Sequence, residues 1–318
     1  MSVIADNLRN AAADLGHLAR LNEPLGPLTT YRVGGSAALF VSPTCLAELQ
    51  EVAVVIARYD LPTLVVGRGS NLLIADAGFA GVAMSLAEWA SGIELSGSDV
   101  RSGSAVALPV LARRTAAAGL TGFEWAVGVP GSIGGAVRMN AGGHGSDIAA
   151  CIEQAEIFDL HTQRCEWRPA DTLGLRFRGS GLADHEIVLT AHLKLSPGDV
   201  EQSEREIAEI VRWRRENQPG GQNAGSVFVN PIPGELSAGE LIDRVGLRGL
   251  RIGGAFVSDK HANFIQAGES ATAADVKAVI DQVRDRVARE TGFELRSEVR
   301  LVGFDESGVV HPEASSHG

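Results

Sequence analysis

The chain has 318 residues, of which 45% are hydrophobic and 21% charged, and its formal net charge is −11. A chain of this length exceeds one ordinary hydrophobic core, so we expect two or three domains. The acidic balance argues against a general nucleic-acid or membrane-surface binder, although a local arginine cluster could still hold an anion.

The N-terminal 20 residues carry Asp6, Arg9 and Asp14 among apolar side chains, so they lack the unbroken apolar core of a signal peptide. The sequence contains no run of 18 apolar residues, so we expect no membrane span. The three cysteines form no CxxC pair, which is typical of reduced thiols in a cytoplasmic protein. The eight histidines show no metal-binding spacing, so we expect no metal.

The first elements alternate between helix and strand. Residues 1–25 predict a helical lead-in, and residues 30–35 predict a strand broken by a glycine pair. Apolar residues at spacings of three and four over 49–56 predict an amphipathic helix. The short apolar run at 62–66 predicts a buried strand.

A glycine turn, Gly67-Arg68-Gly69-Ser70-Asn71-Leu72, follows this strand at once. A strand that leads into Gly-x-Gly could begin a Rossmann fingerprint, but no third glycine opens a helix here. Residues 72–78 instead predict a second strand and turn. The turn still offers backbone and side-chain donors that suit an anion.

A second glycine-rich segment covers residues 121–143, with six glycines between residues 128 and 143. Glycine allows tight turns and close backbone approach, and successive N–H groups can surround phosphate oxygens. Apolar residues among the glycines indicate a packed segment, so we expect it to cradle a ligand. The Ala-rich stretch before it predicts a short helix between Pro109 and Gly119.

The second half of the chain divides at a helix. Alternating apolar residues over 187–195 predict a half-buried strand that completes an α+β domain. A charged helix follows over 197–215, with Ile207, Ile210 and Val211 predicted to face inward, and NQPGGQNAG at 217–225 marks a boundary.

Two capping-box patterns belong to the smaller α+β unit beyond this boundary. They are Ser237-x-x-Glu240 and Thr272-x-x-Asp275. The second opens an amphipathic helix that we expect to end at Gly292.

Six motifs now stand in a fixed order: YRVGG, GRGSNLL, GVPGSIGGAVRMNAGG, AGSVFVNP, SDKHANF and SEVRLVG. In this order the chain resembles the UDP-N-acetylenolpyruvoylglucosamine reductases, the MurB flavoenzymes of bacterial cell-wall synthesis, in their shorter type II form. The resemblance extends from about residue 25 to residue 304.

The resemblance implies an α+β fold. An FAD-binding domain of the vanillyl-alcohol-oxidase type, with two subdomains, would occupy residues 26–197 after the lead-in at 1–25. A connecting helix at 198–217 would lead to a C-terminal substrate-binding domain at 218–304 and a tail at 305–318. It further implies noncovalent FAD, NADPH as hydride donor, and a UDP-sugar substrate. We expect a cytoplasmic monomer with no nucleic-acid or membrane partner.

Cofactor residues are carried over where the motifs match. They are Tyr31, Gly34, Gly67, Arg68, Gly69, Ser70, Asn71, Leu72, Gly128, Val129, Pro130, Gly131, Ser132, Gly134, Gly135, Asn140, Ala141 and Gly142. For Tyr31, ordinary strand packing is an equally good interpretation. His144 follows this segment, but the family does not tether its flavin to histidine.

Three catalytic residues follow from the same resemblance. Ser226 matches the family's proton donor, and Glu298 matches its catalytic glutamate, which either stabilises charge or returns a proton. Arg178 matches the arginine assigned to the substrate carboxylate, because a guanidinium suits two-point contact with a carboxylate. Arg176 is its rival, since on a strand it would share the same face.

Two positions depart from the family pattern, with Phe177 in place of the usual Tyr and Val229 in place of the usual Lys. We therefore expect the substrate phosphates to be bound by other residues, and the substrate-binding candidates are Arg214, Lys260 and Asn263, with Arg215 as a further cation. An FAD-dependent oxidase of the same superfamily and a non-enzymatic flavin-binding protein are the alternative functions.

Overall fold

The computed structural model describes residues 3–87 and 89–304. Its α-helices, in chain order, are α1 (Val3–Leu15), α2 (Leu46–Tyr59), α3 (Leu108–Ala117), α4 (Ile133–Met139), α5 (Val200–Asn217), α6 (Ala238–Arg244) and α7 (Ala273–Thr291). The predicted tail at 305–318 lies outside the described residues. Every helix in the described part of the chain is too short or too polar to cross a membrane.

The strands form sheets of two to five strands each. They are β1 (Ala19–Pro24), β2 (Ser36–Val41), β3 (Thr63–Val65), β4 (Leu72–Ile74), β5 (Phe79–Met84), β6 (Ile93–Ser96), β7 (Asp99–Gly103), β8 (Leu120–Thr121), β9 (Gly142–Gly143), β10 (Ser146–Asp147), β11 (Ile152–Asp159), β12 (Arg164–Pro169), β13 (Glu186–Lys194), β14 (Ser196–Pro197), β15 (Arg251–Ile252), β16 (Ala255–Val257), β17 (Ile265–Ala267) and β18 (Arg300–Val302). The larger sheets have the orders β12-β11-β13-β7-β6 and β1-β2-β5-β3.

The chain separates into two compact units. The first contains residues up to 21, 39–68 and 81–214, and the second contains 22–38, 69–80 and the residues from 215 onward. Both units are therefore built from distant parts of the sequence. The predicted domain limits stay a prediction.

The core of the first unit lies against the five-stranded antiparallel sheet. In β13, the apolar residues Ile187, Leu189, Ala191 and Leu193 are buried while Thr190 is less so, which confirms the predicted alternation. The helices α3 and α4 add Leu111, Ile133 and Val137 to the same apolar cluster. Because glycine-rich α4 packs on this sheet, its main chain is held in a fixed position.

The core of the second unit lies between α6, α7 and the antiparallel sheet β15-β16-β17. The apolar stripe predicted for α7 is buried, and Gly292 ends the helix in the left-handed region at a φ of 76°. The parallel pair β4 and β18 contributes Leu73 and Leu301 to this core. The pair thereby fixes the residues just before each strand, 71 and 298–299.

Three predictions are wrong. The helical lead-in predicted over 1–25 ends early, since α1 stops at Leu15 and residues 19–24 form the strand β1. Residues 30–35 form no strand, because Arg32 and Gly34 have φ angles of 54° and 108°, and the strand begins only at Ser36. On α5, Ile207 and Ile210 are buried as predicted, but Val211 is 40% exposed. The buried stripe of α5 continues through Ser203, which leaves Val211 at its edge.

Of the two predicted capping boxes, only the one on α7 is complete in the structure. Ser237 caps α6 by accepting from the Glu240 N–H, but the Glu240 carboxylate pairs with Arg244. On α7 the box is complete, since Thr272 accepts from the Asp275 N–H and the Asp275 carboxylate accepts from the Thr272 N–H at 3.1 Å. The Gly254 N–H also donates to this carboxylate at 3.0 Å.

An Asp275→Asn variant is expected to unfold about 0.5–1 kcal/mol more easily at pH 7, since it loses the charged acceptor of this cap. The N–H groups of Gly254 and Thr272 hold the pKa of Asp275 below its ordinary value of 3.8. Stability from a depressed carboxyl pKa is lost as the pH falls through that pKa. Urea unfolding should therefore show the gap between variant and wild type closing below pH 3.8, and a gap that stays constant at low pH would contradict the role of the carboxylate.

Candidate functional site

The second glycine-rich segment begins as a 3-10 turn (Glu124–Gly128) and continues into α4. Ser132 is buried and caps α4 by accepting from the Gly135 N–H. The N–H groups of Ile133 and Gly134 donate to the carbonyls of Val106 and Ser104 at 2.9 and 2.8 Å. These two donors are thus used to dock the segment onto the chain at 104–106.

The start of the first glycine turn lies against the second glycine segment. A Cβ at Gly67 would lie only 2.5 Å from Ser132 Oγ. A Cβ at Gly134 would lie 2.8 Å from the Ser104 Cβ. Such distances are too short for real side chains, so glycine is needed here for close approach, and the predicted segments at 67 and 132 meet within the first unit.

Gly134→Ala is expected to lower the unfolding free energy by about 1–3 kcal/mol, because the added methyl group collides with Ser104 in a packed interior. Gly135→Ala is the matched control in the same helix. Its Cβ would lie 3.5 Å from the nearest side-chain atom, which is ordinary contact. Thermal unfolding should show a clear loss for the first variant only, and equal losses would contradict the packing argument.

Asn140 ends α4 in the left-handed region with a φ of 40°, and its side chain is buried. Its Oδ1 accepts from the Ala149 N–H, and its Nδ2 donates to Asp147 and to the Arg176 carbonyl. This one amide therefore joins α4, the β9–β10 hairpin and the loop that carries the candidate arginines.

The loop of Arg176 and Arg178 is a tight turn and not a strand. The main chains of Arg176 and Gly179 exchange both N–H···O bonds, at 2.9 and 3.0 Å. The Arg176 guanidinium donates to the carbonyls of Gly174 and Ser180. The expectation that the two arginines share a strand face is therefore wrong, and the Arg176 side chain is bonded within its own loop.

Arg178 lines a cleft of about 380 Å³ in the first unit. Its φ is 58°, a strained value for a residue other than glycine, and its Nη1 donates to the Gly142 carbonyl at 3.1 Å. Phe177, which is 60% exposed, and Asp147 line the same cleft. No sequence pattern indicated the role of Asp147 in this wall.

Near the end of α5, Trp213 and Arg214 lie close to His144, which follows the glycine segment in the first unit. The His144 ring lies against Gly128, where a Cβ would approach it to 2.9 Å, and meets Trp213 edge-on at 5.3 Å. Partial desolvation, together with the Arg214 charge, lowers the pKa of His144. Burial lowers the pKa of Arg214 in turn.

Ser226 lies in the second unit, in a segment that pairs on both sides with other chain segments. It forms an antiparallel bridge with Phe264, and the next bridge joins Phe228 to Ser297. Within the described residues, the Ser226 hydroxyl makes no hydrogen bond to a protein group. Its oxygen is thus available to a ligand.

Glu298 is brought next to this serine segment by its own main chain. The Glu298 N–H donates to the Val227 carbonyl at 2.7 Å, and the Asn71 side chain donates to the Glu298 carbonyl at 2.8 Å. Gly69 begins this part of the turn in the left-handed region, with no room for a Cβ beside Leu28. The predicted residues at 69–72, Ser226 and Glu298 therefore form one neighbourhood in the second unit.

Tyr31 is fully buried beside the Ala224 main chain, and its burial raises the pKa of the phenol. Gly34 passes so close to the Ile74 carbonyl that a Cβ would lie 2.3 Å from it. The Lys260 ammonium donates to the Arg215 carbonyl at 2.5 Å, near the end of α5. A ligand contact by any of these residues stays a prediction.

Two groups of described residues bring histidine nitrogens and carboxylate oxygens within 4.8 Å: Asp159 with His161 and His185, and Asp99 with Glu153 and His192. In the first, the imidazoles stack at 3.9 Å with an angle of 16°, so their lone pairs lie in two nearly parallel planes and do not converge on one point. In the second, Asp99 already pairs with Lys194. The expectation of no metal stays a prediction.

Two family models match this chain. The C-terminal domain of UDP-N-acetylenolpyruvoylglucosamine reductase matches residues 217–302, and an FAD binding domain matches residues 37–162. The expected fold class, an FAD-binding domain followed by a smaller C-terminal domain of mixed helix and strand content, is confirmed.

Relatives of known name match over most of their length. UDP-N-acetylenolpyruvoylglucosamine reductase of Heliobacterium modesticaldum is 43% identical over 290 residues, which cover 91% of each chain. The reductase of Gloeobacter violaceus is 42% identical over 88% of this chain and 94% of its own. The crystal structure of the Thermus caldophilus reductase matches with a TM-score of 0.77 and 35% identity, over 89% of this chain and 99% of that one.

Proposed function

We infer that this chain, which belongs to the UDP-N-acetylenolpyruvoylglucosamine reductase family, uses FAD and NADPH to reduce the enolpyruvyl group of UDP-N-acetylenolpyruvoylglucosamine. The product is UDP-N-acetylmuramate, a precursor of peptidoglycan. We therefore expect the activity to contribute to cell shape and cell division. We place this activity in the cytoplasm and in a monomer. The bond between the Glu298 N–H and the Val227 carbonyl carries the proposal, because it brings two candidate catalytic residues onto neighbouring segments.

The residues present fit FAD. Main chain at Gly67 and Gly134 packs so closely against Ser132 and Ser104 that any Cβ would collide, so the backbone of both glycine segments is held in place. Residues 67–72 and 128–142 are the segments that would hold the cofactor. When bound, FAD supplies the hydride that the enolpyruvyl double bond accepts.

The chain's own residues would complete the addition. Hydride arrives at the terminal methylene carbon, and negative charge develops on the carbon beside the carboxylate. Ser226 donates its hydroxyl proton to that carbon, and the Arg178 guanidinium holds the carboxylate and stabilises the charge. Glu298 is assigned to proton return or to charge stabilisation. Lys260 and Arg214 are assigned to the diphosphate of the substrate.

An anaerobic two-step experiment tests the function. The purified yellow protein is reduced with NADPH, and the enolpyruvyl sugar nucleotide is then added while the flavin absorbance is followed. Rapid reoxidation without oxygen supports the reductase. Reoxidation only by air would instead indicate an oxidase, and no reduction by NADPH would indicate a flavin-binding protein without this activity.

A further inference from the structure

Asn263 holds the segment that carries Ser226 through three hydrogen bonds. Its Oδ1 accepts from the Phe228 N–H at 2.9 Å, and its Nδ2 donates to the Phe228 carbonyl at 2.8 Å. Its own main-chain carbonyl accepts from the Val227 N–H at 2.9 Å. The two residues after the serine are thus bonded to a single asparagine.

The Asn263 side chain is directed into the protein and not toward a substrate. It is only 3% exposed, and both atoms of its amide are used by Phe228. Val227 and Phe228 are themselves buried, so the bonds lie in an interior where an unpaired polar group costs more than it would in water. The predicted role of Asn263 as a substrate contact therefore gives way to a role within the protein.

The opposite side of the serine segment is bonded as well. Val229 donates its N–H to the Arg296 carbonyl, and the Val227 carbonyl accepts from Glu298. On the Asn263 side, however, the Phe228 backbone has no strand partner and is satisfied by the side-chain amide. Removing that amide releases the segment directly beside Ser226 while leaving the Glu298 side bonded.

We propose that Asn263 is a positioning residue, which holds the Ser226 hydroxyl at the reacting carbon by clamping the backbone of Phe228. The inference rests on the proposed proton-donor role of Ser226. Proton transfer depends on geometry at a scale below 1 Å, so a loosened segment slows the step that uses the serine. It does not slow the reduction of FAD by NADPH, in which the serine takes no part.

Hydrogen exchange provides a direct readout that needs no turnover. In Asn263→Ala, the Phe228 amide loses its acceptor and should exchange faster, while the Glu298 amide keeps its acceptor and its protection. In Asn263→Asp, the buried carboxyl group still accepts from the Phe228 N–H, so that amide should stay protected. The aspartate variant also retains the side-chain shape if the alanine variant folds poorly.

Stopped-flow kinetics give the second readout. Asn263→Ala is expected to slow flavin reoxidation by the sugar nucleotide about 10²-fold at saturating substrate, with flavin reduction unchanged. Asn263→Asp should show a smaller loss, since burial favours the neutral carboxyl group, which can accept from the Phe228 N–H and donate to the Phe228 carbonyl. Gln266→Ala is the control, because Gln266 also donates its side-chain amide to a main-chain carbonyl of this unit, that of Gly220, and that bond does not involve residues 226–228.

A double variant separates this inference from its premise. If Asn263 acts through Ser226, Asn263→Ala should slow reoxidation no further in a Ser226→Ala background. Additive losses, or equal slowing of both half-reactions, would overturn the positioning role. A defect in Ser226→Ala without one in Asn263→Ala overturns only this inference. Normal reoxidation in Ser226→Ala would refute the proton-donor role of Ser226, and the inference about Asn263 would fail with it.

Discussion

In a Ser226→Ala variant, reoxidation of the reduced flavin by the enolpyruvyl sugar nucleotide is expected to be about 10²–10⁴-fold slower, while reduction by NADPH keeps its rate. This range is the typical contribution of a general acid, which the variant no longer supplies in the transition state. The hydroxyl is suited to this role because it makes no hydrogen bond to a protein group among the described residues.

Two further variants test whether the hydroxyl itself is responsible. Ser226→Cys places another proton donor at the same position and should recover part of the lost rate. Ser297→Ala removes a neighbouring hydroxyl that bonds within its own segment, to the Val299 N–H and carbonyl. It should leave both half-reactions within about two-fold of the wild type. Equal slowing of both half-reactions by Ser226→Ala would contradict the assignment.

Elements with a strong local signal could be predicted from the sequence. The stripe and caps of α7 and the alternation of β13 depend on residues within each element, and both predictions are confirmed. The error at 30–35 arose because the left-handed φ angles of Arg32 and Gly34 depend on long-range packing, such as the approach of Gly34 to the Ile74 carbonyl. No local pattern reports such a contact.

The candidate site shows the same division. Glycine density at 67–69 and 128–142 indicated close backbone approach, and the collisions expected at Gly67 and Gly134 are with Ser132 and Ser104 of the protein itself, so the predicted ligand contact stays a prediction. The neighbourhood of Ser226 and Glu298 could not be predicted from either segment alone, because a long-range backbone bond creates it. Only the order of motifs shared with a family connected them. The clamp by Asn263 had no sequence signal, since an amide does not reveal its partners.

Substitution by lysine is expected to affect the kinetics at Arg178 but chiefly the thermal stability at Arg176. Arg178→Lys should slow flavin reoxidation about 10²–10³-fold and raise the KM for the sugar nucleotide, because a lysine keeps the charge but loses the two-point fork for a carboxylate. Arg176→Lys should chiefly lower thermal stability, since that guanidinium bonds the carbonyls of its own loop. A larger kinetic loss in Arg176→Lys would reverse the assignment.

Arg178→Gly completes this test by separating activity from stability. A φ of 58° costs a residue with a side chain about 1–2 kcal/mol, whereas glycine adopts it freely. Relief of that strain opposes the loss of the guanidinium contacts, which include the bond from Nη1 to the Gly142 carbonyl and the approach to the Phe177 ring. The variant is therefore expected to unfold within about 1 kcal/mol of the wild type while losing reoxidation at least as severely as Arg178→Lys. Such an outcome would mean that the strained backbone is retained because it directs the guanidinium into the cleft. A variant that loses stability and activity together would instead make Arg178 a structural part of the turn.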